Sequence, residues 1–129
     1  MTLRRIEIGL VSTDSTLADY YAAVFELEVL PAVEAGSGTV HRLQGPGALI
    51  KIMVPTEPPT PATPVTPFIA TTGLRYLTLA VTDLDATLAR AKAHNGTVQL
   101  GPLEISPGLR IALLQDPDGN TTELVHEPA

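Results

Sequence analysis

The chain has 129 residues, 44% of them hydrophobic and 17% charged, with a formal net charge of -6; this suits one soluble domain with an adequate core. It contains no cysteine, so disulfides and thiolate metal sites are excluded, and any metal must use His, Asp, Glu or water. The acidic balance argues against nucleic acid, whose phosphates need clustered Lys and Arg, and no stretch approaches the roughly 20 apolar residues of a membrane span. The acidity would suit a cationic ligand, although solubility alone explains it.

The opening Met1-Thr2-Leu3-Arg4-Arg5 runs straight into a strand without a signal-like segment, so a cytoplasmic location is the default expectation. In that strand, Arg5 to Val11, Ile6, Ile8 and Leu10 share one face and Glu7, Gly9 and Val11 the other. A helix is expected from Thr13 or Asp14, both able to cap free N–H groups. Leu17, Tyr20, Tyr21, Val24 and Phe25 recur on its apolar face, so the Tyr20-Tyr21 pair reads as core. Strands follow over Glu28 to Val33, Thr39 to Leu43 and Leu49 to Val54, with Gly36-Ser37-Gly38 and Gly45-Pro46-Gly47 as turns. Residues 55–67 contain six prolines, at 55, 58, 59, 61, 64 and 67, and read as a stiff extended spacer.

The second half repeats the plan. Arg75 to Val81 is a strand; Thr82, with Asp85 three residues on, caps a helix carrying Leu84, Leu88 and Ala91, and Asn95-Gly96 closes it. His94 falls in its last turn, where a cation suits the helix dipole. Thr97 to Leu100, Leu109 to Gln115 and Thr121 to His126 read as strands, and Gly101 to Gly108 as a loop at the sheet rim. Leu114-Gln115-Asp116-Pro117-Asp118-Gly119-Asn120 thus answers Leu43-Gln44-Gly45-Pro46-Gly47 of the first half. The fold class is α+β: two βαβββ modules, residues 1–54 and 73–129 with a linker over 55–72. They are expected to form one domain, a curved, mostly antiparallel sheet with a concave pocket and the helices outside.

The paired modules and the closing Asp116-Pro117-Asp118-Gly119-Asn120 with Glu123-Leu124 resemble the vicinal oxygen chelate superfamily over nearly the whole chain. That group includes glyoxalase I, extradiol dioxygenases, methylmalonyl-CoA epimerase and the fosfomycin- and bleomycin-resistance proteins. The resemblance implies a homodimer and, in metal-dependent members, a metal inside the curved sheet held from the first and last strands of each module. Those positions are Glu7, Lys51, Tyr76 and Glu123; Tyr76 follows Glu7 by 69 residues and Glu123 follows Lys51 by 72, as a duplication would give. The family holds His or Glu there. Glu7 and Glu123 conform; Tyr76 and Lys51 depart.

Strand parity supports the same four residues independently. Glu7 lies opposite Ile6, Ile8 and Leu10 and Tyr76 opposite Leu77, Leu79 and Val81, the sets expected to face a helix. Lys51 shares a face with Leu49 and Met53, and Glu123 with Thr121 and Val125, and a charge centred in an apolar strand face must be paired, metal-bound or wet. Two carboxylates make a poor transition-metal site, and the Lys51 ammonium repels a cation while neutralising a carboxylate. The favoured reading is a small-molecule-binding protein of the glyoxalase/bleomycin-resistance/dioxygenase type, with Glu7, Lys51, Tyr76 and Glu123 on a metal-free pocket floor. Two others stay open: a lyase, isomerase or dioxygenase using Zn, Ni, Mn or Fe on Glu7 and Glu123, with His41 as a further ligand if it faces the cavity, and a metal-free enzyme in which Glu7 or Glu123 moves a proton. His126, three residues past Glu123, falls on the opposite face. Arg42 and Arg110, single arginines, are left outside the site.

Overall fold

A computed structural model describes residues 2–129. The chain forms two compact units, which divide between Pro61 and Ala62 inside the proline run. The first holds strand β1 (Ile6–Val11), helix α1 (Thr16–Val24) and strands β2 (Glu28–Ala35), β3 (Gly38–Gly45) and β4 (Ala48–Pro55). The second holds a single 3-10 turn at Phe68–Ala70, then β5 (Tyr76–Val81), α2 (Leu84–Ala93), β6 (Thr97–Ser106), β7 (Leu109–Gln115) and β8 (Thr121–His126). Each unit is a βαβββ module with one four-stranded mixed sheet, ordered β1-β4-β3-β2 and β5-β8-β7-β6. The first strand of each pairs parallel with the last; the other pairs are antiparallel. The α+β class and the repeated plan read from the sequence are those of the structure.

Each sheet buries one face under its own helix. In the first unit α1 lies mainly over β3 and β4, against Leu43, Ile50 and Ile52. Tyr20 and Tyr21 are core residues, their rings edge to face at 5.1 Å, and Tyr21 stacks on Phe25 at 5.8 Å. Strand β1 stands at the sheet edge beyond the helix, so Ile6 remains 53% exposed rather than packed beneath it. In the second unit α2 covers β6 and β8, and Leu84, Leu88, Ala112, Leu114 and Leu124 form the core. Each large aliphatic side chain buried this way contributes ~1.5–3 kcal/mol.

Three local expectations are corrected. Helix α1 begins at Thr16, later than Thr13 or Asp14, but the Asp14 carboxylate accepts the Thr16 N–H at 2.8 Å. Hydrogen bonding from the Thr16 side chain, and after it from this N–H, holds the Asp14 carboxyl below the ordinary range. Helix α2 is capped by Asp83, not Thr82: its carboxylate accepts the Ala86 N–H at 3.0 Å while its backbone stays extended. The segment expected as a rim loop continues as strand: β6 reaches Ser106. Gly101 takes φ +85° and β6 shifts register against β7 on either side of it, so the chain bends but keeps pairing.

The turns form as their residues require. Pro46-Gly47 joins β3 to β4 as a two-residue link, with Gly47 at φ +73°. In the second module the buried Asp116 carboxylate accepts the N–H groups of Asp118 and Asn120, both at 2.9 Å, and Gly119 turns back at φ +89°. A Cβ at Gly119 would lie 2.4 Å from Pro64, so the proline run packs on this turn. No helix among the described residues is long and apolar enough to cross a membrane. Asp83→Ala is expected to cost about 1 kcal/mol of stability in urea unfolding and Thr82→Ala far less; a larger cost for Thr82→Ala than for Asp83→Ala would return the cap to Thr82.

Candidate functional site

Covering one face of each sheet leaves the other open, and strand register decides what stands there. In module one, the row Glu28, Gln44, Leu49, Glu7 runs across β2, β3, β4 and β1. The next is Leu30, Arg42, Lys51, Gly9, and the last is the apolar Val33, Val40, Met53, Val11. Glu7 and Lys51 therefore share the open face, one row apart. The Lys51 Nζ lies 3.4 Å from Glu7 Oε1. Arg5, just before the start of β1, donates Nε to Glu7 Oε2. The Arg5 guanidinium, seconded by the Lys51 ammonium, holds the Glu7 carboxyl below the usual carboxylate range against partial desolvation.

Module two repeats the grid. Thr121 pairs with Tyr76 in one row and Glu123 with Thr78 in the next, as Leu49 does with Glu7 and Lys51 with Gly9. The duplication aligned on sequence spacing is thus also a register equivalence: Glu7 with Tyr76, Gly9 with Thr78, Lys51 with Glu123. Glu123 accepts the Thr78 hydroxyl at 3.0 Å and faces Leu113 on β7. Tyr76, half exposed, holds its ring against Phe68 at 4.9 Å. A small cleft of about 140 Å³ lies between Pro64 and Phe68 of the connecting run and Arg75, Asp118 and Asn120.

Among the described residues no three His, Asp or Glu side chains gather as a metal would need. The donor chemistry in module one is also unfavourable, because Glu7 is held by two cations and Lys51 offers none of its own. His41 pairs with Ile52 and so takes the helix-side face, away from Lys51. His126 likewise stands opposite Glu123, and its Nδ1 accepts the Leu84 N–H at 3.2 Å, supporting the start of α2. His94 Nδ1 lies 2.9 Å from the Arg90 carbonyl at the end of the same helix.

Sequence reasoning left out Arg5, Gly9, Arg42 and Thr78. A signal for Arg42 was present: a two-residue turn at Pro46-Gly47 pairs Gly45 with Ala48, and counting outward pairs Arg42 with Lys51.

The family model described as Glyoxalase/Bleomycin resistance protein/Dioxygenase superfamily matches residues 10–124. The chain belongs to that superfamily. No curated protein sequence is significantly similar to it. Among solved structures, a glyoxalase family protein from Bacillus cereus superposes with a TM-score of 0.84 at 16% identity, over 100% of this chain and 97% of that one. TnmS3, an antibiotic binding protein from Streptomyces sp. CB03234, gives 0.69 at 24% identity, over 100% and 99%. A glyoxalase/bleomycin resistance protein from Albidiferax ferrireducens T118 gives 0.67 at 25% identity, over 95% and 98%.

Because its folded pKa is lowered, Glu7 adds stability above its unfolded pKa, and this is lost as pH falls through the folded value. A carboxyl-detected NMR titration is expected to place its midpoint below that of an ordinary glutamate. Arg5→Gln should raise that midpoint more than Lys51→Met does; the reverse order would make Lys51 the principal partner.

Proposed function

We propose that this superfamily member is a small-molecule-binding protein that works without a metal. Its contact residues are Glu7 and Lys51 on the open face of module one, and Tyr76 and Glu123 on that of module two. The observation that carries the reading is the Arg5–Glu7–Lys51 cluster. A carboxylate already shared by two cations is a weak ligand for a third, and a lysine stands where the family resemblance calls for a donor. The antibiotic-binding activity named for TnmS3 supports binding as the function such a fold can serve. Fold alone does not decide this, since one scaffold hosts many chemistries. The homodimer implied by the family is proposed with it.

One observation favours a second reading, a metal-free proton-transfer enzyme. Glu123 accepts a hydroxyl and faces a leucine, with no cation among its described partners. A carboxylate in that setting can take a proton, provided a substrate places an acidic C–H beside it.

Calorimetric titration of Ni, Zn, Mn and Fe into protein purified without a metal-chelating tag is expected to give no stoichiometric binding. Tight binding abolished by Glu7→Gln would instead establish a metal site on Glu7 and overturn the metal-free reading. A thermal-shift ligand screen is expected to yield compounds whose stabilisation falls in Lys51→Met or Glu123→Gln. Hits indifferent to all four residues would remove them as ligand contacts.

A further inference from the structure

Arg42 and Lys51 stand directly opposite each other on β3 and β4, on the open face of module one. Like charges across a strand pair destabilise it, so their retention needs a reason. The fold does not require the pair. In module two the register equivalents are Leu113 and Glu123, one neutral and one acidic, and the same sheet forms.

Nor is the pair neutralised from within. Glu7 accepts primarily from Arg5 and lies 3.4 Å from Lys51, so two cations divide one carboxylate. Arg42 gives its Nε and Nη2 to the Pro31 carbonyl at 3.1 and 2.9 Å, a neutral acceptor that fixes the guanidinium without cancelling its charge. The other acid of this face, Glu28, lies on the outer strand β2, one row away and exposed. Arg5 and Lys51 thus share a single close carboxylate, and Arg42, across from Lys51, is held by a neutral carbonyl, in a protein whose net charge is -6.

The same row ends at Gly9, opposite Lys51 on β1. A Cβ there would meet nothing within 4 Å, and Gly9 is not among the glycines at positive φ. The glycine answers no backbone demand. A strand glycine that leaves open space beside a charged side chain suits the close approach of a ligand.

We infer that module one binds an organic oxyanion, a carboxylate or a phosphate ester, at Lys51 and Arg42, with the space over Gly9 admitting the group beside the charge. This deepens the proposed small-molecule function and rests on it. Lys51 supplies a mobile point charge, Arg42 a fixed one, and the row of Val40, Met53 and Val11 an apolar flank for the body of the ligand.

The test is an NMR titration of the whole protein with benzoate, phenyl phosphate, benzamide and benzylammonium. Benzoate or phenyl phosphate is expected to bind saturably and shift the Gly9 amide and Lys51 side-chain signals, the tighter of the two naming the source of the anion. Lys51→Met should weaken that binding about ten-fold or more, as loss of a charge-assisted contact does. Arg42→Gln should weaken it too, and Glu7→Gln, which removes the competing carboxylate, should strengthen it. Gly9→Thr, which installs the residue module two carries at this register, should fold normally and bind poorly. Benzamide matching benzoate, benzylammonium surpassing it, or no saturable binding of either anion would overturn the assignment. A thermal-shift hit of neutral or cationic chemistry that depends on Lys51 would overturn it as well, yet leave the small-molecule reading standing. Hits independent of Glu7, Lys51, Tyr76 and Glu123 would remove that reading instead.

Discussion

One constraint organises both modules: a four-stranded sheet with a single short helix can bury only one of its faces. The nine residues of α1 and ten of α2 lie over part of one face each. Side chains alternate along a strand, so every second residue is committed to that core and its neighbours to the other side. Ile50 and Ile52 go inward, and Lys51 between them must go outward. The same parity sends Leu124 inward and Glu123 outward. A slip of one residue would put a lysine or a glutamate beneath a helix at the cost of desolvating a charge. The apolar residues that fold the sheet therefore also aim the polar ones.

The duplication turns that parity into an internal comparison. The two sheets share strand order and register, so differences at equivalent positions are differences in chemistry rather than in architecture. Glycine stands opposite lysine in one module, threonine opposite glutamate in the other. The threonine hydroxyl gives Glu123 a hydrogen-bond donor within its own sheet. Gly9 has nothing to give, and Lys51 reaches diagonally to Glu7. One module has closed a contact at this point where its counterpart leaves space.

Much of the fold was legible because it is written in periodicity and turn residues. Alternation marked β1, β4, β5 and β8. The Pro-Gly and Asp-Pro-Asp-Gly-Asn segments marked the returns, and both glycines do take positive φ. Features set by competition between neighbours were harder to read. Thr82 and Asp83 can both cap α2, and the carboxylate prevails as the stronger acceptor from the Ala86 N–H. Gly101-Pro102 has the composition of a loop, and only pairing with β7 reveals a bent strand. For the site, parity placed Glu7, Lys51, Tyr76 and Glu123 on their sheets' open faces. Their partners escaped notice because a hydrogen bond such as Arg5 to Glu7 depends on side-chain conformation, which periodicity does not encode.

Net charge is the clearest case of a global quantity misleading about a local one. An acidic chain invites a cationic ligand, and the whole-chain sum is a fair guide to solubility. A bound group, however, feels charges within about a Debye length, ~8 Å at physiological salt. On the open face of module one the cations are Arg42 and Lys51, with Arg5 just before β1, against Glu7 and, on the outer strand β2, Glu28; the chain's remaining acids are spread over other strands, helices and loops. Arg42 looks like one more surface arginine until β3 is laid beside β4; its neighbour across the strands, not its place in the sequence, makes the pair. The sign of a site is a property of register, and here register gathers positive charge on a negative protein.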